Sequence, residues 1–481
     1  MRQFRPLHAC AGLLGIAVAV GIAELVATVA GVVSPRVASG DAVIRQAPQF
    51  AVHLAITTFG RHDKDALLAT LAVVTLAFGA AIGLATRRRS SMGTTGFALW
   101  WFVTALAVTL DHTQIVAAAA VTGVGALAGW TTLRLLLRVA PGDIASTTEA
   151  TEATASTAST DLDRYEPDRR AFLGLAAAAL DVPGISPLVT PNADFYRIDT
   201  TLSVPRIDLD RWHLKITGLV DHSQEFSFAD LLAMPVQEAD VTLACVSNEV
   251  GQDLIGNARW LGIPLVDLLS RAGVQRGASQ IIGRSVDGFT VGFPSQVALD
   301  GRPSLVVIGM NGEPLPDEHG FPARLLVPGL YGYVSATKWL SEIEVTTTEA
   351  FDVYWIRRGW SKLGPIKTES RIDVPGEHKT IAAGRASIAG VAWGGIRGVS
   401  AVEVRVVTAG VTDGPWQQAR LSAALSASTW RQWALAWDTT PGEYQITVRA
   451  TDGAGATQTA AEQGPAPDGA TGYHKIRVRV S

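Results

Sequence analysis

The stretch VTLACVSNEVGQDLIGNARWLG, residues 241–262, carries Cys245, the only cysteine after Cys10. A thiol alone in its region can form neither a disulfide framework nor a multi-thiolate zinc site. Two readings stay open. Free cysteine is usually a small buried hydrophobe, and a thiolate is also a ligand for soft metals. The residues that follow favour chemistry, because an apolar strand opening into Ser, Asn, Glu, Gly, Gln and Asp places the thiol at a strand end facing a polar loop.

Other segments share that character. TPNADFYRIDT (190–200), SVDGFTVGFP (285–294), DEHGFPARLLVPGLYGYVSATKW (317–339) and WIRRGW (355–360) mix Gly and Pro with Arg, Lys, His, Asn and aromatics. Arg324 and Lys338 are cations in otherwise apolar runs, and a buried cation needs an anionic partner. Distant Asp or Glu side chains could supply it; so could a ligand phosphate held by Arg, Lys and backbone N–H groups of a Gly-rich turn. Ser335-Ala-Thr-Lys338 also fits the S-x-x-K pattern of serine acyl-transferases, although no K-T-G follows it.

The elements that must position these residues fall into blocks. Residues 1–140 are rich in Ala, Val, Leu, Gly and Thr, and four runs (11–33, 66–86, 96–110 and 114–137) are expected to span a membrane. APQFAVHLAITTFG (47–60) is too short for that and is expected at the interface. Placing Arg2, Arg5, Arg87, Arg88, Arg89, Arg134 and Arg138 on one side satisfies the positive-inside rule and puts both ends of the bundle in the cytoplasm. Glu24 is the one charge in the first span, read as protonated and hydrogen-bonded to a neighbouring helix, with a functional role as the alternative. His53, His62 and His112 avoid the middle of any span, so no haem is expected.

Residues 141–168 contain little that could fill a core and read as a disordered tether. The tether ends in DRRAFLGLAAAAL (168–180), which resembles a twin-arginine export signal and defines the twin-arginine-like segment 169–189. On that reading the following domains lie on the extracytoplasmic face, with the cytoplasmic face as the alternative. Ala171–Leu180 alone is short for a fifth span, and extending it takes in Asp181 and two prolines.

Residues 190–368 mix short strands, such as WHLKITG and SLVVIGM, with helical patterns at FADLLAM and PLVDLLSRAG, giving an α+β domain without a βαβ rhythm. Residues 369–481 alternate in VEVRVV, WALAW, YQITVRA and HKIRVRV, the pattern of a β-sandwich of immunoglobulin-like size.

The region 190–481 resembles the sulfite oxidase family of molybdenum enzymes. The resemblance is carried by TPN (190–192), TLACVSNE, GNARWLGIPLVDLL (256–269), MNGEPLPDEHGFPARLLVPG (310–329) and VSATKWL (334–340). It implies a molybdopterin-binding domain followed by an immunoglobulin-like, dimerisation-type domain. The helical region resembles that of membrane-attached actinobacterial-type members. It further implies a molybdenum–molybdopterin cofactor with Cys245 as the protein's thiolate ligand to the metal. Asn192, Tyr196, Arg197, Asp287, His319, Arg324, Ala336, Thr337 and Lys338 fall on positions that hold the pterin and its phosphate.

Two departures bear on the substrate. The place of a family tyrosine holds Trp360, which has no phenolic O–H, and the place of a substrate arginine is Arg197 or, counted back from LSVP, Asp199. The resemblance thus implies two-electron oxo transfer on a small sulfur- or nitrogen-containing substrate, with Arg197 or Arg358 as the cation near it. Electrons would pass to an external partner such as a quinone, a cytochrome or another redox protein, and no nucleic acid is expected. Reduction of an S- or N-oxide is the nearest alternative. A membrane-tethered binding protein with a relic cofactor domain is the non-enzymatic one.

Overall fold

The computed structural model describes residues 5–30, 34–48, 63–109, 115–138 and 179–481, with single positions between 50 and 60. The tether 141–168, Arg169 and Arg170 of the twin-arginine-like segment, His53, His62 and His112 lie outside the described residues. The chain divides into two compact units, residues 1–161 with 199–203, and residues 162–198 with 204–481.

The first unit is built from α1 (Arg5–Ala30), α2 (Pro35–Gln46), α3 (Asp63–Thr86), α4 (Ser91–Thr109) and α5 (Ile115–Arg138). Among the described residues three stretches, Leu7–Ala30, Lys64–Thr86 and Ala119–Arg138, are long and apolar enough to cross a membrane. The run at 96–110 lies largely in α4, a helix of 19 residues. Small residues let the helices approach: a side chain on Gly12 would strike the backbone of Gly79 and Gly83, and one on Gly129 would strike Gly15. These contacts run α1 antiparallel to α3 and to α5. The start of α1, the Arg87–Arg89 turn and the Arg134–Arg138 end of α5 therefore share one end of the bundle, as the charge pattern predicts. Glu24 accepts hydrogen bonds from the Ser34 hydroxyl (2.7 Å) and the Arg36 amide (3.1 Å) at the N-terminus of α2. The carboxyl oxygen caps a helix, which satisfies it inside the unit.

In the second unit the predicted strands and helices appear where the patterns put them. One sheet has the order β2-β1-β11-β5-β6, from β1 (His213–Gly218), β2 (Gln224–Ser227), β5 (Gln280–Ser285), β6 (Thr290–Pro294) and β11 (Leu340–Thr346). Only the β1–β11 pair is parallel. The other sheet has the order β10-β9-β7-β4-β3, from β3 (Gln237–Ala244), β4 (Ile255–Pro264), β7 (Leu305–Met310), β9 (Arg324–Leu326) and β10 (Ala336–Thr337), with β8 (Glu313–Pro314) on β7. Helix α6 (Phe228–Leu232) starts on a Ser227–Asp230 capping box. Helix α7 (Leu265–Ala272) buries Leu265, Leu268, Leu269 and Ala272, the i, i+3, i+4, i+7 stripe of its sequence. The short helix α8 (Gly332–Ser335) leads into β10.

The C-terminal strands form two sheets. One is β12 (Glu369–Val374), β14 (Gly384–Trp393), β18 (Arg431–Thr439) and β17 (Arg420–Leu421). The other is β13 (Thr380–Ile381), β20 (His474–Val480), β19 (Gly442–Asp452), β15 (Val399–Thr408) and β16 (Gln417–Gln418). Ile372, Ile388 and Trp433 from the first share a core with Val402, Val404, Ile446 and Val448 from the second, so the unit is a sandwich. Leu180, Val182 and Ile185 pack on Ala389 and Ala434 of this sandwich, and the Leu180 amide donates to Gln432 Oε1 (2.7 Å). The stretch that would lengthen the twin-arginine-like run into a span is thus soluble-domain packing, because its prolines suit an extended strap better than a helix.

Candidate functional site

Cys245 stands one residue past the end of β3 and is 9% exposed. Its amide donates to Leu254 O (2.9 Å), the Asn248 amide donates back to Cys245 O (3.1 Å), and Asn248 Oδ1 accepts from the Leu254 amide (2.8 Å). The polar loop expected after the strand is therefore a closed turn with the thiol at its root. Burial pushes the thiol's pKa up, against the amide and hydroxyl of Ser247.

Around it the fold gathers most of the predicted residues. Arg324, first residue of β9, is buried, stacks over the Trp260 ring (5.2 Å) and donates from Nη1 to His319 O (3.2 Å). Burial lowers the pKa of Arg324 to about 10. His319, in the 3₁₀ turn Asp317–His319, meets Asn192 O through Nε2 (2.9 Å) and packs edge-on against Phe195. Burial brings its pKa down to about 4, with Arg324 and Lys338 adding repulsion, so the ring is neutral. Lys338 donates to Glu318 O (3.0 Å), and burial followed by the charges of Arg324 and Arg197 holds it well below the usual lysine range.

Tyr196 lies close enough to Cys245 and Arg324 to feel both charges, and burial raises its hydroxyl's pKa. Asn192 bridges Met310 O and Glu313 and accepts from Asn311 Nδ2 (2.8 Å). Asn311 itself has φ 55°, the left-handed region asparagine tolerates. Ala336 and Thr337 form β10, paired with Leu326 and Leu325 of β9. Asp287 caps its own hairpin turn, Oδ1 accepting from the Phe289 amide (3.0 Å), within electrostatic reach of Lys338.

Two predicted residues belong to a neighbouring cluster. Arg358 donates to Tyr354 O (3.0 Å) and stacks on the Tyr354 ring (3.7 Å), while Trp360 packs on Tyr333 and Trp355. Helix α8 lies between the groups: Tyr333 reaches Trp360, and a side chain on Gly332 would point at Ala244 O and the Tyr196 hydroxyl. Asp199 belongs to the helical unit, where Lys64 pairs with its carboxylate. Ser335 is fully buried and its hydroxyl is engaged with Leu330 O and Tyr331 O, so it cannot serve as the acyl-transferase nucleophile that S-x-x-K would require.

The sequence reading passed over Asn248 and Trp260. The signal for Asn248 was its place three residues after Cys245, the distance that closes a turn; Trp260 showed only as an apolar strand residue.

The family model "Oxidoreductase molybdopterin binding domain" matches residues 201–355. The mitochondrial sulfite oxidase of Macaca fascicularis is 30% identical over 306 residues, 54% of this chain and 55% of that protein. The oxidoreductase YuiH of Bacillus subtilis is 37% identical over 157 residues, 33% of this chain and 76% of that protein. The chain belongs to the sulfite oxidase family of molybdopterin oxidoreductases. It spans about half the length of the sulfite oxidases it matches. Among solved structures, the sulfane dehydrogenase SoxCD of Paracoccus pantotrophus aligns over 68% of this chain and 90% of that one, at 22% identity and a TM-score of 0.49.

The cofactor of this family is molybdenum–molybdopterin, and the site fits an anionic, polar group of that kind. Arg324 Nε and Asn248 Nδ2 are buried polar atoms without a hydrogen-bond partner. Orphaned donors are costly unless a ligand completes them. Buried Arg324 and half-buried Lys338, with Arg197 near, give the positive field a phosphate requires.

Proposed function

We propose that the chain is a membrane-anchored oxidoreductase of this family, and that Cys245 is its thiolate ligand to molybdenum. The carrying observation is the concentration of buried cations and unpaired donors around a lone thiol at a strand end. Bound molybdenum–molybdopterin would supply two-electron oxygen-atom transfer to or from a small sulfur- or nitrogen-containing substrate. The chain's own residues hold and insulate it. Arg324, Lys338 and Thr337 hold the phosphate end, His319, Asn192 and Tyr196 line the pterin, and Asp287 contributes an acidic contact. Neutral His319 donates its Nε2–H to Asn192 O and so presents Nδ1 as an acceptor, adding no repulsion beside two cations. Arg197, Arg358 and Trp360 are assigned to the substrate side, where Trp360 Nε1 is a buried donor without a partner.

The three apolar helices support the membrane anchor, and the arginine-rich end of their bundle supports a cytoplasmic placement of that end. In this reading the catalytic domains lie on the extracytoplasmic face, the sandwich is immunoglobulin-like and carries a homodimer contact, and an external redox protein or quinone exchanges the electrons. The test is metal analysis with dye-linked assays against sulfite, sulfoxides and N-oxides. Protein made in a cofactor-competent host is expected to hold stoichiometric molybdenum, and Cys245→Ser to lose at least about a hundredfold in turnover. Undiminished turnover in that variant would remove Cys245 as the ligand.

A further inference from the structure

The strand and loop that present Cys245 are held by the C-terminal sandwich as well as by their own domain. On β3, the Thr242 amide donates to Ser428 O (3.0 Å), Thr242 Oγ1 accepts from the Trp430 amide (2.8 Å), and Asp240 O accepts from the Ser426 hydroxyl (2.7 Å). Beyond the thiol, the loop's outer end meets Arg371 of β12. This arginine is 8% exposed and donates from Nη1 to Gln252 O (2.8 Å), from Nη2 to Ser186 Oγ (2.8 Å) and from Nε to Asp373 Oδ1 (2.7 Å). Asp373 is fixed in turn by the Ser186 amide at 2.9 Å. Next to Gln252, Gly251 lies at φ 88° against the His474 ring, where any side chain would collide. His474 is oriented by the Ile372 amide, which donates to its Nδ1 (3.0 Å).

We propose that the sandwich is a positioning element for the metal-ligand loop, with Arg371 and His474 clamping its outer end at Gln252 and Gly251. This rests on Cys245 being the ligand. A guanidinium with a bond from each of its three nitrogens holds a backbone carbonyl in one place, since its planar fork leaves little freedom once paired. The turn 245–254 is closed at its root by Asn248, so fixing its far end leaves the thiol one direction. A displacement of about 1 Å at a reacting centre can cost on the order of a hundredfold in rate. Arg371 and His474 are therefore positioning residues, joined to the site through the loop backbone.

Hydrogen exchange of the full chain in detergent tests the clamp without reference to the metal. In Arg371→Met, peptides covering 245–254 are expected to exchange at least about tenfold faster, with 442–452 in the sandwich core unchanged. His474→Ala, which leaves the Arg371–Asp373 pair intact, reads the same peptides should the first variant not fold. In loaded enzyme both variants are expected to lose kcat with KM unchanged. Exchange at 245–254 that stays at the wild-type rate, or rises in step with 442–452, overturns the proposal. Cys245→Ser separates the two ideas: it retains slow loop exchange under the clamp, whatever becomes of its turnover.

Discussion

Arg371 and Arg397 in the sandwich each meet a carboxylate at 2.7 Å, Asp373 and Asp452 respectively, and further donors from each are taken up by backbone and hydroxyl oxygens. Arg324 in the cradle is as buried as Arg371, yet it meets a tryptophan face and a backbone carbonyl, and its Nε finds no partner. Among the described residues no carboxylate lies within ion-pairing distance of Arg324. Of these three arginines, the two in the sandwich meet a carboxylate of the chain and Arg324 does not. A structural cation is finished by folding; a binding cation is left for the ligand to finish.

That contrast can be broken first in the sandwich. Asp452→Asn leaves the half-buried Arg397 facing a neutral amide and is expected to cost about 2 to 3 kcal/mol of stability, read by denaturant unfolding, with molybdenum content per folded chain unchanged. In the cradle, Arg324→Met should do the reverse: cofactor retention falls roughly ten- to hundredfold while the cofactor-free melting temperature holds or rises, because a charge without a carboxylate is removed. A melting temperature that drops as far as that of Asp452→Asn would erase the distinction between the regions.

Acid sharpens it next. Burial lowers His474 to about 4, with Arg371 adding repulsion, so between that value and the ordinary pKa of about 6.5 the unfolded chain binds more protons than the folded one. The contribution is complete above about pH 6.5 and is lost as pH falls toward 4. His474→Gln is expected to flatten that decline by about 2 kcal/mol in acid unfolding curves. The smallest effect concerns Trp360. Replacing it with Phe keeps the ring and deletes the unpartnered N–H, and should raise the substrate KM by up to about tenfold with cofactor content unchanged. A loss of molybdenum in that variant would place Trp360 with the cradle instead.

The alternating runs of the sandwich and the stripe of α7 were legible because period-2 and period-3.6 hydrophobicity is a local property of the chain. The cradle was legible only by its residue types. Asn192, Cys245 and the pair Arg324 and Lys338 come from three separate stretches, and nothing local says that β3, β9 and β10 belong to one sheet beside the 190–198 segment. Asp199 and Arg197, two residues apart, show the limit: the extended chain between them sends one carboxylate to Lys64 and leaves the arginine within the field of Lys338.

The sequence by itself determined the apolar helices, the order of the soluble domains and the lone thiol at a strand end, all of which follow from composition, period and spacing. Tertiary structure alone decided that Arg324 Nε is left short of a partner, that Ser335 is sealed away, and that Arg371 of the sandwich reaches across to Gln252 in the loop after Cys245. Those outcomes depend on long-range packing: whether a polar atom is satisfied is settled by residues hundreds of positions away, as Gln432 is for Leu180 and Trp430 for Thr242.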